Sequence, residues 1–140
     1  MQALGSYRSG TMLFLGFGTG LGSALVVEGA LVPMELAHLS YKKGTYEDYL
    51  GLRGIKRLGE KRWRKHVAFC VDRFIPALQL DDIVLGGGNA KKLEKLPKGC
   101  RVGDNTKAFL GGFRLWPSPD AEQQMRSNQA MKECRAKLDL

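Results

Sequence analysis

The sequence is poor in the residues that staple small or metal-dependent folds. Only three cysteines occur in 140 residues, Cys70, Cys100 and Cys134, and no two of them form a CxxC pair. Their number and spacing exclude an even secreted disulfide framework and point to reduced thiols in a cytoplasmic protein. His38 and His66 are the only histidines, so a structural zinc site has nothing to build on. No apolar run approaches the roughly 18–20 residues that span a bilayer. The start, Met1-Gln2-Ala3-Leu4-Gly5-Ser6, has no basic stretch leading into an apolar core, so neither a signal peptide nor a membrane partner is expected. Internal repeats and low-complexity tracts are also missing.

Acidic residues are outnumbered. Against 14 Asp and Glu stand 22 Lys and Arg, a formal net charge of +8, which favours a polyanionic partner such as a nucleic acid, a nucleotide or inorganic polyphosphate. Much of the excess lies in one block, from Lys56-Arg57 through Lys61-Arg62-Trp63-Arg64-Lys65-His66. On charge alone the block reads first as the solvated face of a helix. At this length the chain fits one domain and can bury a core without covalent help.

Three short apolar runs open the chain at residues 12–17, 23–28 and 30–33, with glycine at each reversal. They predict an antiparallel meander, and the first run is apolar enough to be covered on both faces. Residues 42–44 predict a loop. A helix is expected over 46–59, weakened by Gly51 and Gly54. A stronger one is expected over 61–78, where Trp63, Val67, Cys70, Val71, Phe74, Ile75 and Leu78 recur at three- and four-residue spacings. Residues 83–85 predict a buried strand running into a glycine loop, with helices over 90–96 and 105–116 and a polar tail over 117–140.

Three motifs carry chemistry. Gly16-Phe17-Gly18-Thr19-Gly20-Leu21-Gly22-Ser23 lies between two predicted strands. Glycines let successive backbone N–H groups converge on an anion, and the threonine hydroxyl adds a donor. The alternative is an ordinary glycine-rich hairpin. No Gly-Lys-Ser/Thr follows, and no helix, so neither a Walker loop nor a dinucleotide fingerprint fits. Gly86-Gly87-Gly88-Asn89 follows the second buried strand and would let a flat base or a phosphate reach the backbone. Glu35-Leu36-Ala37-His38 sets a carboxylate and an imidazole three residues apart, complementary acceptors and donors for sugar hydroxyls.

The order of these motifs resembles the C-terminal lobe of the ROK sugar kinases, within the actin/hexokinase-like ATPases, and most of all the polyphosphate/ATP glucokinase group. Thr45-Tyr46-Glu47-Asp48-Tyr49, the 61–66 block and residues 108–116 share the likeness, which covers residues 3–116 and leaves out the tail. The resemblance implies an α/β, RNase H-like lobe: a mixed sheet with three leading antiparallel strands and flanking helices. It implies that Gly18, Thr19, Gly20 and Gly22 hold the phosphates of the donor, that Glu35 and His38 contact the sugar, and that Gly86, Gly87 and Gly88 lie beside the adenosine of ATP. It further implies Mg²⁺ with ATP or polyphosphate as donor, and a hexose, glucose at its 6-hydroxyl, as acceptor. On the basic block, Lys61, Arg62 and Lys65 are expected to meet polyphosphate.

Two departures bear on these expectations. Ala37 replaces the usual glycine of the ExGH signature, and residues 39–43 contain no cysteine, so no zinc is expected. The Asn-Asp motif that bears the family's catalytic base would lie just ahead of the stretch resembling residues 3–7. The base is therefore expected upstream of Met1, and the chain by itself is expected to be inactive, its partner a missing N-terminal lobe or a second copy in a homodimer. The alternatives are a non-catalytic sugar-binding or regulatory module and a truncated remnant. No helix-turn-helix pattern is present, so no nucleic-acid partner is expected.

Overall fold

The computed structural model describes residues 2–103. Its centre is β1 (Thr11–Phe17), whose side chains alternate between two cores. Leu13, Leu15 and Phe17 enter the larger one, Met12 and Phe14 the smaller, and four of these five are at most 1% exposed. The near-continuous apolar run follows from that position, because a strand covered on both faces has no solvent side to make polar.

The chain reverses through residues 18–20 into β2 (Leu21–Val27) and again at Glu28-Gly29 into β3 (Ala30–Pro33). β6 (Asp82–Gly86) then lies beside β1, running parallel, and β7 (Cys100–Val102) runs parallel beside β6. The sheet order among the described residues is β3-β2-β1-β6-β7. The mixed α/β fold with three leading antiparallel strands is as expected. Between β3 and β6, a small hairpin of β4 (Ser40–Tyr41) and β5 (Gly44–Thr45) precedes three helices, α2 (Tyr46–Leu50), α3 (Leu52–Leu58) and α4 (Glu60–Leu78).

α4 covers the larger core with Trp63, Val67, Cys70, Val71 and Phe74, the face its apolar spacing selects. Trp63 is wholly buried, meets Phe17 edge to face at 5.4 Å, and donates its indole N–H to the Leu50 carbonyl at 2.8 Å. A buried side chain of this kind contributes about 1.5–3 kcal/mol through area alone. The helix ends where Gln79 turns left-handed and its N–H caps the Ile75 carbonyl. On the other face of the sheet a short α1 (Gln2–Ser6) packs Ala3 and Leu4 against Met12, Phe14, Val26 and Val84.

The single helix expected over 46–59 is two helices broken at Gly51, whose extended backbone ends α2 and begins α3. Gly54 lies inside α3, where a Cβ would run into the Tyr49 backbone. The helix expected over 90–96 reduces to a 3-10 turn, Ala90–Lys92, because Leu93 is already extended and the chain must cross to β7. α1 and β7 were not anticipated. The helix over 105–116, the tail over 117–140 and Cys134 lie outside the described residues.

Candidate functional site

The Gly18-Thr19-Gly20 turn is the tip of the β1–β2 hairpin, closed by the Phe17–Leu21 and Gly16–Gly22 pairs. Two of its amides are already used. Gly18 N–H donates to the Gly20 carbonyl at 3.2 Å, and Leu21 N–H donates to Glu47 Oε2 at 3.3 Å. The start of α3 closes on the tip as well, with Leu52 N–H donating to the Thr19 carbonyl at 3.2 Å. Among the described residues, the Thr19 and Gly20 amides and the Thr19 hydroxyl accept or donate no hydrogen bond. These three donors are what the tip offers an anion. Thr19 and Gly22 are exposed, and a Cβ on Gly18 would meet nothing within 4 Å, so a ligand can approach.

The second glycine loop is locked against the first. Asn89 donates its backbone N–H to the Phe17 carbonyl at 2.9 Å and its side-chain Nδ2 to the Gly18 carbonyl at 3.1 Å. Its three glycines serve different ends. Gly86 is buried under the Phe14 ring, and Gly87, at φ +83°, passes so close to Phe17 that a Cβ would lie 2.6 Å from its carbonyl oxygen. Only Gly88 is exposed with open space around it. Gly86 and Gly87 thus have packing reasons of their own, and the surface a ligand can reach narrows to Gly88.

The Glu35–His38 turn is pinned to the strand that leaves the phosphate-loop motif. Ser23 Oγ donates to the Met34 carbonyl and accepts from Leu36 N–H, both at 3.0 Å. Leu36 and Ala37 are buried while Glu35 and His38 are exposed, so the turn presents the acid and the imidazole outward. Glu35 Oε1 accepts from Ala37 N–H at 3.3 Å. α2 holds the turn from behind: Glu47 N–H donates to the Ala37 carbonyl and Tyr46 N–H to that of Leu39, each at 3.1 Å.

Two residues were missed as members of this arrangement. Ser23 closes the glycine motif in the sequence, but its tie to residues 34–36 is long-range. Glu47 bonds the hairpin tip with its carboxylate and the Glu35–His38 turn with its amide, and Arg53 holds its Oε1 at 3.0 Å. Its signal was the Thr45–Tyr49 segment, where the neighbouring Asp48 forms the α2 capping box with Thr45. The Thr45 backbone and hydroxyl hold the Asp48 carboxyl below its ordinary range, aided by Arg53 and Arg57.

The basic block divides. Lys61, Arg62 and Lys65 are exposed on α4 with no ion pair among the described residues. Arg64 instead ties α4 to the β6–β7 connection, bonding the Lys92 carbonyl at 2.8 Å and pairing with Glu94 at 2.7 Å and Glu60 at 3.3 Å. His66 turns inward and shares a 2.9 Å hydrogen bond with the Tyr41 hydroxyl. Burial, with Lys42 and Arg57 nearby, lowers its affinity for a proton. Burial pushes the Cys70 thiol up to about 11 and that of Cys100 to about 12. A cleft of about 400 Å³ between Asp72, Asp81, Asp82 and Lys98 lies at the other end of β6, away from both glycine loops.

No protein-family model matches the chain, and no curated protein matches it significantly. Solved structures do. The inorganic polyphosphate/ATP-glucomannokinase of Arthrobacter sp. strain KM superposes with a TM-score of 0.65 at 22% identity, over 79% of this chain and 51% of that one. The ROK hexokinase of Thermus thermophilus gives 0.63 at 17% identity, over 79% and 60%. The fold is that of the ROK sugar kinases. A glucokinase from Balamuthia mandrillaris, solved in complex with glucose, shares it at a TM-score of 0.53 and 13% identity, over 78% and 54%. The chain therefore spans about half to three fifths of the length of these ROK-fold and related kinases. Among the described residues, no helix is long and apolar enough to cross a membrane, and no group of three His, Cys, Asp or Glu could hold a metal ion.

Proposed function

We propose that the chain is the donor- and sugar-binding lobe of a carbohydrate kinase that moves a phosphoryl group from ATP or polyphosphate to a hexose, the 6-hydroxyl of glucose. The observation that carries this reading is the pair of hydrogen bonds Asn89 donates to the Phe17 and Gly18 carbonyls, which fixes the two glycine loops side by side. Thr19 and Gly20, with the open faces of Gly18 and Gly22, take the transferred end of the donor. Gly88, at the tip of the Gly86–Gly88 run, takes the adenosine side when the donor is ATP. Glu35 and His38 orient the sugar, with Ser23 holding their turn to the same hairpin.

Phosphoryl transfer needs positioning and charge neutralisation more than covalent help from the protein. Mg²⁺ brought with the donor would supply part of that neutralisation. Lys61, Arg62 and Lys65 would gather a polyphosphate chain near the surface, since clustered exposed charge raises the local concentration of a polyanion. The general base, which contributes roughly 10²–10⁴-fold in such reactions, is assigned to a lobe outside the described residues.

The test is glucose phosphorylation by the 140-residue chain, alone and mixed with an N-terminal lobe that carries the Asn-Asp motif. The chain alone should give background rates with either donor, and the mixture should turn over. His38→Ala in the mixture should lower kcat/KM for glucose by about 10- to 100-fold, the cost of one lost polar contact to a sugar hydroxyl held in place. Turnover by the chain alone, or a His38→Ala mixture as active as the parent, would refute the assignment.

A further inference from the structure

A second cleft, of about 340 Å³, lies on the helical side of the hairpin tip and is lined by Lys43, Gly44, Asp48, Tyr49, Arg53 and Arg57. Three cations face one carboxylate there. The carboxylate is engaged, since Asp48 Oδ2 accepts from the Thr45 amide and hydroxyl at 3.0 Å each. The two arginines are held in place rather than waving in solvent. Arg57 lies 4.6 Å over the Tyr49 ring and donates from Nη2 to the Asp48 carbonyl at 3.0 Å. Arg53 pairs from Nη2 with Glu47 at 3.0 Å and with Asp48 at 3.6 Å, leaving the rest of its fork to the cleft. Lys43 makes no ion pair among the described residues.

The position of the cleft relative to the hairpin gives it a direction. Leu52 bonds the Thr19 carbonyl, so the start of α3 touches the tip. Arg53 is the next residue, and Arg57 stands one helical turn, about 5.4 Å, further along the same face. Arg53 also neutralises Glu47, the one acidic side chain bonded to the tip. A chain of phosphates with its end at Thr19 and Gly20 would therefore run past a neutralised Glu47 onto Arg53, then Arg57 and Lys43. Guanidinium forks in fixed positions suit phosphate oxygens, which they can bond in pairs.

We infer that the Lys43–Arg53–Arg57 cleft is a binding track for the body of a condensed inorganic phosphate chain whose end is held at the hairpin tip. This rests on the proposed placing of donor phosphates at Thr19 and Gly20. It assigns the grip on the chain to the cleft, while Lys61, Arg62 and Lys65 on α4 attract the polyanion at longer range.

Calorimetric titration of the full 140-residue chain with long-chain polyphosphate, tripolyphosphate, orthophosphate and ATP tests the track without any need for turnover. Lys43→Gln with Arg57→Gln, which leaves the Arg53–Glu47 pair at the tip intact, should weaken long-chain polyphosphate by about tenfold and change ATP by less than about twofold. Lys43→Gln alone removes no ion pair among the described residues and should still weaken the chain by about threefold, a measure that leaves both arginines in place. Lys61→Gln with Arg62→Gln and Lys65→Gln should cost less than the cleft pair and lose its effect first as salt rises. The inference is overturned if the α4 triple variant costs as much as the cleft pair. It is also overturned if ATP weakens equally, or if orthophosphate binds as tightly as the long chain and is displaced by the same cleft variants. Thr19→Val separates the two readings: if it leaves every phosphate unaffected while the cleft pair still weakens polyphosphate, the hairpin assignment falls and the track stands.

Discussion

Gly87→Ala should destabilise the protein far more than Gly88→Ala, one residue away in the same glycine run. Gly87 has φ +83°, and an added Cβ would lie within 2.7 Å of the nitrogen, carbonyl carbon and oxygen of Phe17. A left-handed backbone costs an alanine roughly 1–2 kcal/mol. The crowding atoms are backbone in the central strand, so the Gly86–Asn89 loop has to move and strains the Asn89–Phe17 hydrogen bond, worth about 0.5–1.5 kcal/mol. Together these give about 2–3 kcal/mol. For a chain of 140 residues each kcal/mol lowers Tm by about 3–4 °C, so Gly87→Ala should melt about 6–12 °C below the parent. A Cβ on Gly88 meets nothing within 4 Å, and its variant should stay within about 0.5 kcal/mol of the parent. Thermal unfolding of both by circular dichroism decides the matter. If the two melt within about 3 °C of each other, the argument that Phe17 dictates Gly87 is wrong.

The other ties predict smaller effects. Ser23→Ala removes two bonds, to the Met34 carbonyl and from the Leu36 amide, and should cost about 1–2 kcal/mol. Hydrogen exchange should speed at the Leu36 amide, and unchanged protection there would mean that the sugar turn holds itself. His66 is buried beside Lys42 and Arg57, so it binds a proton less readily when folded than when unfolded. Its contribution to stability should be whole above its ordinary value near 6.5 and decline as pH falls through it. His66→Gln should flatten urea-measured stability between about pH 7.5 and 5.5, and an equal slope in parent and variant would refute the assignment.

Where the sequence was legible, the reason is periodicity. β1 announces itself because both of its faces are covered, and α4 because Trp63, Val67, Cys70, Val71 and Phe74 recur on one face. β7 was illegible for an equally physical reason. It has only three residues, and its middle one, Arg101, points an ionic group inward to pair with Asp82 and bond the Ser6 carbonyl. Such a strand is made by its partners rather than by its own composition. The same holds for α1, only five residues long, which exists because Met12, Phe14 and Val84 need a cover. The 46–59 helix was misjudged because Gly51 reads as a weak helix residue in sequence, yet at this junction it serves as the boundary of two helices.

The candidate site divides along the same line. The glycine runs and the Glu35–His38 spacing are local patterns and can be read directly. What binds them into one arrangement is long-range: Asn89 to Phe17 and Gly18, Ser23 to Met34 and Leu36, Glu47 to Leu21. These ties order the loops during folding, before any ligand arrives, so the entropy of fixing them does not fall on the binding step. They also explain why the tip has so few donors left. Gly18 and Leu21 spend their amides on the shape of the loop, which leaves the amides of Thr19 and Gly20 and the Thr19 hydroxyl without a hydrogen-bond partner among the described residues. Three donors suit the terminal group of a phosphate chain better than its whole length. On the proposed reading the remaining charge has to be met elsewhere, and Arg53 follows directly on Leu52, whose amide bonds the Thr19 carbonyl at the tip.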